Sequence, residues 1–140
     1  MRWLPPFLLL LLAGCPQRTA IWVVPGSTRD SLVFALGARR GHEKSFQWLI
    51  RVDRCEDPGR GYYKGDALWT AWVDHSKFWK WPTRVTYGVA GKGIEVLDSV
   101  KPLTVGCYLA TTNGTGDIAF VIDSAGAVTE LDSVPPLSLR

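Results

Sequence analysis

The chain has 140 residues, of which 46% are hydrophobic and 21% are charged, and its formal net charge is +3. This length suits one domain with a continuous core, and this composition favours a folded chain over a disordered one. A charge so close to balance gives no general reason to expect nucleic acid as a partner.

The first 14 residues predict an export signal. One cation, Arg2, precedes an apolar run from Phe7 to Ala13, and the small residue Gly14 follows. The run is less than half of the roughly 20 residues that an α-helix needs to cross the hydrocarbon core of a bilayer. A charge, a short apolar run and a small-residue exit are the parts of a cleavable signal peptide. We therefore expect residues 1–14 to be removed on export.

The end of this segment, Leu12-Ala13-Gly14-Cys15, resembles the lipobox of bacterial lipoproteins, in which Leu, a small residue, Gly or Ala, and Cys follow the apolar run. The resemblance implies that signal peptidase II cuts after Gly14, that Cys15 receives a diacylglyceryl thioether, and that the new amine is acylated. Several acyl chains anchor durably, since each buried CH₂ contributes about 0.8 kcal/mol. The alternatives are an ordinary secretory leader with an incidental cysteine and a buried first strand.

The lipobox resemblance also implies a location for the folded domain, on a cell membrane and facing the periplasm or the exterior. Residues 15–19 would form the lipidated N-terminus and a short tether. Five extended residues span at most ~18 Å, so the domain is expected close to the membrane surface. Pro16 stands where an Asp is associated with inner-membrane retention in some bacteria, which slightly favours the outer membrane.

Residues 20–132 predict a single all-β domain, and residues 133–140 predict a flexible tail. Short runs rich in Val, Ile, Thr and aromatic residues alternate with Gly, Pro, Asp and Asn, and no helical period is sustained. We predict nine strands, at residues 20–24, 31–36, 47–54, 67–73, 83–89, 94–97, 107–112, 118–122 and 128–131. Seven to nine short antiparallel strands at this spacing favour a β-sandwich, with a small up-and-down barrel as the alternative fold.

Residues 101–108 are similar to the entry into the penultimate strand of immunoglobulin-like and fibronectin-type sandwiches. In those folds a Leu, a Gly and a Tyr mark a corner, and the tyrosine hydroxyl bonds back to the backbone. Their places are taken here by Leu103, Gly106 and Tyr108. Asn113-Gly114 follows with hairpin-turn chemistry. The resemblance implies an immunoglobulin-like sandwich, but the position of Cys107 departs from the antibody spacing, so that family's disulfide is not carried over.

Cys55 and Cys107 remain as an even pair once Cys15 is lipidated. Compartments outside the cytoplasm are oxidising, so we predict a disulfide between them. The alternatives are two free buried thiols or a metal site. Neither cysteine lies in a C-x-x-C pair, and His42 and His75 are isolated, so we expect no metal and no cofactor.

Residues 62–81 hold seven aromatic side chains interleaved with three lysines. The first interpretation is core filling, because large rings bury much area in a small sandwich. The second is a binding surface formed by Trp69, Trp72, Trp79, Trp81 and Lys80. Such a surface would settle into a membrane interface, or would stack on a sugar ring or a peptide. Trp69 and Trp72 have opposite strand parity, so both cannot line one face of a regular strand.

No motif identifies a reaction. Asp74-His75-Ser76 contains the three residue types of a hydrolytic triad, but consecutive residues of an extended chain point to alternate sides, and we name no catalytic residue. We expect a non-catalytic cell-envelope lipoprotein that binds or scaffolds another component, with the membrane, envelope glycan or protein as partners and no nucleic acid. The alternative is an envelope hydrolase or a small-ligand carrier, for which histidines and acidic residues would have to converge on a pocket.

Overall fold

The computed structural model describes residues 20–43, 48–56, 67–73, 82–91, 93–97, 99–112 and 117–133. These residues form strands and turns and no helix. The strands are β1 (Ala20–Val23), β2 (Val33–Arg39), β3 (His42–Glu43), β4 (Trp48–Arg54), β5 (Trp69–Val73), β6 (Arg84–Thr86), β7 (Ile94–Val96), β8 (Gly106–Thr112), β9 (Asp117–Ile122) and β10 (Val128–Glu130). All nine predicted strands are present. The described residues also form one strand that was not predicted, the two-residue β3.

The strands pair antiparallel in two separate sheets. The first sheet holds β1, β2 and β3, with β6 also paired to β2, and the second has the order β10-β9-β8-β4-β5-β7. The predicted sandwich is therefore confirmed over the alternative barrel. In immunoglobulin-like sandwiches the first two strands pair with a late strand, opposite a sheet built on the third and the last two. The pairing of β1, β2 and β6, opposite β4, β8 and β9, follows this arrangement.

The inner faces of the two sheets share one core. Alternate residues of each strand point inward, as the pleat requires, so Ile50 and Val52 of β4 are fully buried there. Phe34 of β2 lies at the centre of the ring contacts, with its centroid 6.3 Å from that of Trp69 and 5.8 Å from that of Phe120. Such ring pairs stabilise a core by about 0.5–1.5 kcal/mol beyond the area that they bury.

The largest differences from the predicted boundaries are at the ends of two strands, β2 and β6, each three residues from the predicted end. β2 continues past residue 36 to Arg39, because Gly37 still pairs with Ala20 of β1 on one side and with Glu43 of β3 on the other. β6 ends at Thr86 instead of residue 89. Gly88, with a φ of 75°, lies in a turn in which the amide of Val89 donates to the carbonyl of Thr86 at 3.1 Å. A positive φ favours glycine, so the turn ends the strand.

Strand direction distinguishes two ends of the sandwich. Ala20 opens β1 opposite Gly37, so the domain begins where β2 ends. β6 runs against β2, and the side chain of Arg84 binds Glu43, which stands opposite Gly37 at the same end. Arg40, directly after β2, bonds to Glu130 at the end of β10, which places the end of the last strand there as well. We call this the tether end, defined by Ala20, Arg40, Glu43, Arg84 and Glu130, and we call the opposite end the far end.

The strand ends of the second sheet can be assigned to the same two ends of the sandwich. β9 begins at the tether end, β8 ends there, β4 begins there and β5 ends there, because each pair of neighbours is antiparallel. The described residues that flank positions 44–47, 74–81 and 113–116 therefore all lie at the tether end. Those that flank positions 57–66 lie at the far end. The predicted hairpin after β8 is confirmed by its pairing with β9, while Asn113-Gly114 itself lies outside the described residues.

Candidate functional site

Cys55 and Cys107 form the predicted disulfide. Their Cα atoms are 5.4 Å apart, within the usual range for such a bond. The amide of Cys55 donates to the carbonyl of Cys107 at 3.1 Å, so the two residues are direct neighbours across β4 and β8. The bond crosslinks one sheet at the far end and packs with Leu109, Ala119 and Leu131 on the outer face of that sheet.

Trp69 belongs to the core and not to a surface. Its side chain is 0% exposed, and its ring centroid lies 5.0 Å from that of Tyr87. None of the described residues accepts a hydrogen bond from its indole N–H. The prediction that Trp69 contributes to a binding surface is therefore wrong, because its parity in β5 directs the ring between the sheets. For this residue the core-filling interpretation is the correct one.

Trp72 takes the opposite parity, as predicted, and is half-buried on the outer face of β5. It stands opposite Leu49 of β4 and Glu95 of β7, one residue before the tether end of its strand. The other members of the predicted surface, Trp79, Lys80 and Trp81, lie outside the described residues, as does Cys15. Val73 and Pro82, which flank residues 74–81, both lie at the tether end.

The outer face of β4 carries a buried ion pair that the sequence analysis missed. The guanidinium of Arg51 donates to both carboxylate oxygens of Asp53, at 2.8 and 2.9 Å, and both residues are buried. Losing one partner of such a pair costs about 3–5 kcal/mol, because the other charge is left buried alone. Residues two apart on a strand share a face, so the Arg-Val-Asp spacing was a usable signal for this pair.

A cavity of about 540 Å³ opens beside the tether end of β9 and β10. Its lining includes Arg40, Asp117, Ile118, Glu130, Leu131 and Asp132. Three of the lining residues carry a carboxylate and one carries a guanidinium, which is bonded to Glu130. The lining suits a small cationic ligand better than an anion. Among the described residues no histidine lines the cavity, and His75 lies outside the described part, so the convergence that a hydrolase requires is not observed.

Glu43 joins two short strands at the tether end. Arg84 of β6 donates to it from Nε at 3.1 Å and from Nη2 at 2.9 Å, and the hydroxyl of Thr83 donates at 2.9 Å. These hydrogen bonds, first from Arg84 and then from Thr83, hold the pKa of the Glu43 carboxyl below its ordinary value. β3 and β6 both pair with β2 on the side away from β1, and Glu43 bridges them.

Two tyrosines hold the connection between β7 and β8 at the far end. The hydroxyl of Tyr108 accepts from the amide of Thr104 at 2.9 Å and donates to its carbonyl at 2.7 Å, which confirms the predicted corner. The hydroxyl of Tyr87 donates to the carbonyl of Lys101 at 2.6 Å. Burial, with a smaller effect of nearby Tyr108, raises the pKa of Tyr87 above its ordinary value of 10. Nothing in the sequence pattern indicated this role for Tyr87.

Within the described part of the chain, no group of three or more His, Cys, Asp or Glu side chains is arranged to hold a metal ion. No helix there is long and apolar enough to cross a bilayer. Comparison of the chain with protein-family models, curated proteins and solved structures finds no match. The proposal for function therefore depends on the sequence motifs and on the contacts described above.

Proposed function

We propose that this protein is a cell-envelope lipoprotein, anchored to a membrane through lipid on Cys15, whose sandwich domain binds or scaffolds another envelope component without catalysis. The observation that carries the proposal is the Cys55–Cys107 disulfide. Disulfides persist in oxidising compartments outside the cytoplasm and are rare within it. The bond therefore supports export, and the lipobox-like residues that end in Cys15 supply the attachment of the exported chain.

The proposed binding surface consists of Trp72, Trp79, Lys80 and Trp81, with envelope glycan or protein as the partner. Trp72 supports it, because a half-buried indole on the outer face of β5 remains accessible. Planar tryptophans with a neighbouring cation are common anchors of interfaces and of membrane-facing surfaces. Trp69 is in the core, so Trp72 is the member of the proposed surface that the described part of the chain contains.

Membrane fractionation tests the anchor. Cells that express the full chain are compared with cells that express Cys15→Ser, which removes the sulfur for lipidation and leaves Cys55 and Cys107 unchanged. We expect the parent in the membrane fraction and the variant released into the soluble envelope. If both proteins sediment with membranes to the same extent after a carbonate wash, the anchor at Cys15 is refuted.

Binding measurements test the surface. The purified domain is assayed against cell-wall glycan and against envelope extract, with Trp72→Ala and Trp79→Ala each compared with the parent. Interface tryptophans usually contribute more than 1 kcal/mol, so we expect affinity to fall about tenfold. Leu97→Ala is the matched control, because Leu97 is 49% exposed and lies outside the proposed surface. Unchanged affinity of both tryptophan variants would eliminate the surface.

The cavity at β9 and β10 supports a second candidate function, that of a small-ligand carrier. Its volume falls within the range of ligand sites, and its carboxylates favour a cationic ligand. The unfolding temperature in the presence of a primary diamine tests this, with the corresponding diol as the uncharged comparison. A carrier shows a rise with the diamine that Asp132→Asn diminishes. A diamine without effect on the parent eliminates this candidate.

A further inference from the structure

The chain between the proposed anchor and the domain is short. Only residues 16–19 separate Cys15 from Ala20, the first residue of β1. Five Cα-to-Cα steps cover at most ~18 Å even when fully extended. Ala20 stands at the tether end, directly opposite Gly37 of β2. The length of this connection therefore limits how far the tether end can move from a lipid attached to Cys15.

The sandwich is taller than this connection is long. β4 and β8 have seven residues each and run between the tether end and the far end. A strand of that length spans roughly 23 Å. The turns at residues 25–31 and 123–127 extend the far end beyond the strands. An inverted domain, with its far end against the bilayer, would require the tether to cover this whole height. The tether is too short for that orientation.

The limit on the length of the tether bears on the role of three exposed valines. Val89, Val100 and Val105 are 52%, 41% and 56% exposed. All three lie at the far end, because Val89 follows β6, Val105 precedes β8, and a Cβ on Gly88 would lie 2.9 Å from a methyl carbon of Val100. Exposed apolar side chains are stabilised by insertion into a membrane interface, which would make these valines candidates for membrane contact. Because the tether is too short for an inverted domain, a domain that stands upright cannot insert these valines.

We propose that the domain stands upright with its tether end facing the bilayer, within the ~18 Å that the tether can span, and with the far end and its exposed valines directed away from the membrane. This orientation rests on the proposed lipid anchor at Cys15. At the tether end Arg40 is bonded to Glu130, and Arg84 to Glu43. Close approach therefore depends on the short tether and not on attraction of these two guanidiniums to anionic lipid. The same orientation is expected on wholly zwitterionic vesicles.

Energy transfer to a membrane-surface acceptor tests the orientation in the full lipidated protein. A donor dye is attached to a single added thiol, Asp132→Cys at the tether end or Ser124→Cys at the far end, both at exposed positions. With the disulfide oxidised and Cys15 lipidated, the added thiol is the one that reacts. The protein is reconstituted into zwitterionic vesicles that carry an acceptor lipid. Each label is also placed in Cys15→Ser as the unanchored control.

We expect strong transfer from position 132 and weaker transfer from position 124, because the two labels differ in height by about one strand, ~20 Å. Equal transfer, or stronger transfer from position 124, in a sample whose mass shows the lipid would overturn the orientation and leave the anchor intact. Absence of transfer at both positions, with an intact mass that lacks acyl chains, would overturn the anchor and the orientation together.

Discussion

The two ends of the sandwich are held together by contacts of different kinds. At the far end a covalent bond joins Cys55 to Cys107, and the hydroxyl of Tyr108 is bonded to the backbone of Thr104. At the tether end the short strands are joined by exposed side chains, of which the Glu43–Arg84 pair is the clearest. Exposed ion pairs contribute little to stability, whereas crosslinks and buried hydrogen bonds contribute more. We therefore expect the far end to resist unfolding more than the tether end.

The largest effect is expected from removal of the disulfide. Cys55→Ser with Cys107→Ser opens a loop closed across a sequence separation of 52 residues. The chain-entropy model gives a loss of about 4 kcal/mol in the free energy of unfolding for a loop of this size. Urea denaturation of the parent and the double variant, both without reductant, measures it. A loss no greater than that from the tether-end variant below would remove the contrast between the ends.

A smaller loss is expected from Tyr108→Phe. The ring keeps its stacking on Phe120, with centroids 5.5 Å apart, but the amide and carbonyl of Thr104 lose their partner. Leaving such partly buried groups unpaired costs about 1–3 kcal/mol. The same denaturation experiment measures the loss, and near-ultraviolet circular dichroism shows whether the ring packing is retained. Equal stability of variant and parent would mean that the corner contributes nothing to the far end.

Tyr87 predicts a pH dependence of stability at the far end. Because its pKa is raised in the folded state, its contribution to stability is complete below the ordinary phenol pKa and is lost as the pH rises from about 10 towards the folded pKa. Unfolding free energies measured at increasing alkaline pH should therefore fall less steeply in Tyr87→Phe than in the parent. Identical slopes for the two proteins would refute the assignment.

The smallest effect is expected at the tether end, from Glu43→Gln. The variant removes the charge that Arg84 binds, and the loss of stability should be slight and should disappear in high salt. The pKa of Glu43 is lowered in the folded state, so its contribution is present above the ordinary carboxyl pKa and is lost as the pH falls through the lowered value. A loss that persists in strong acid or in high salt would contradict this account.

Much of the fold follows from local pattern. Alternation of Val, Ile and aromatic residues predicted nine strands, the Leu-Gly-Tyr spacing predicted the corner at Tyr108, and the even cysteine pair predicted the disulfide. Parity placed Trp69 and Trp72 on opposite faces but could not tell which face was the inner one, because that depends on which other sheet packs against β5. The Glu43–Arg84 and Tyr87–Lys101 contacts join residues that are distant in the sequence, and no local pattern indicated them.

A single mass spectrum of the native protein, extracted from membranes with detergent, decides whether the domain is lipid-anchored. We predict a chain that begins at Cys15, heavier than its amino-acid sequence by the diacylglyceryl group and the N-terminal acyl chain, and heavier again by two hydrogens after reduction. An unmodified chain that still carries residues 1–14, or one whose Cys15 bears no lipid, would contradict both the anchor and the orientation derived from it.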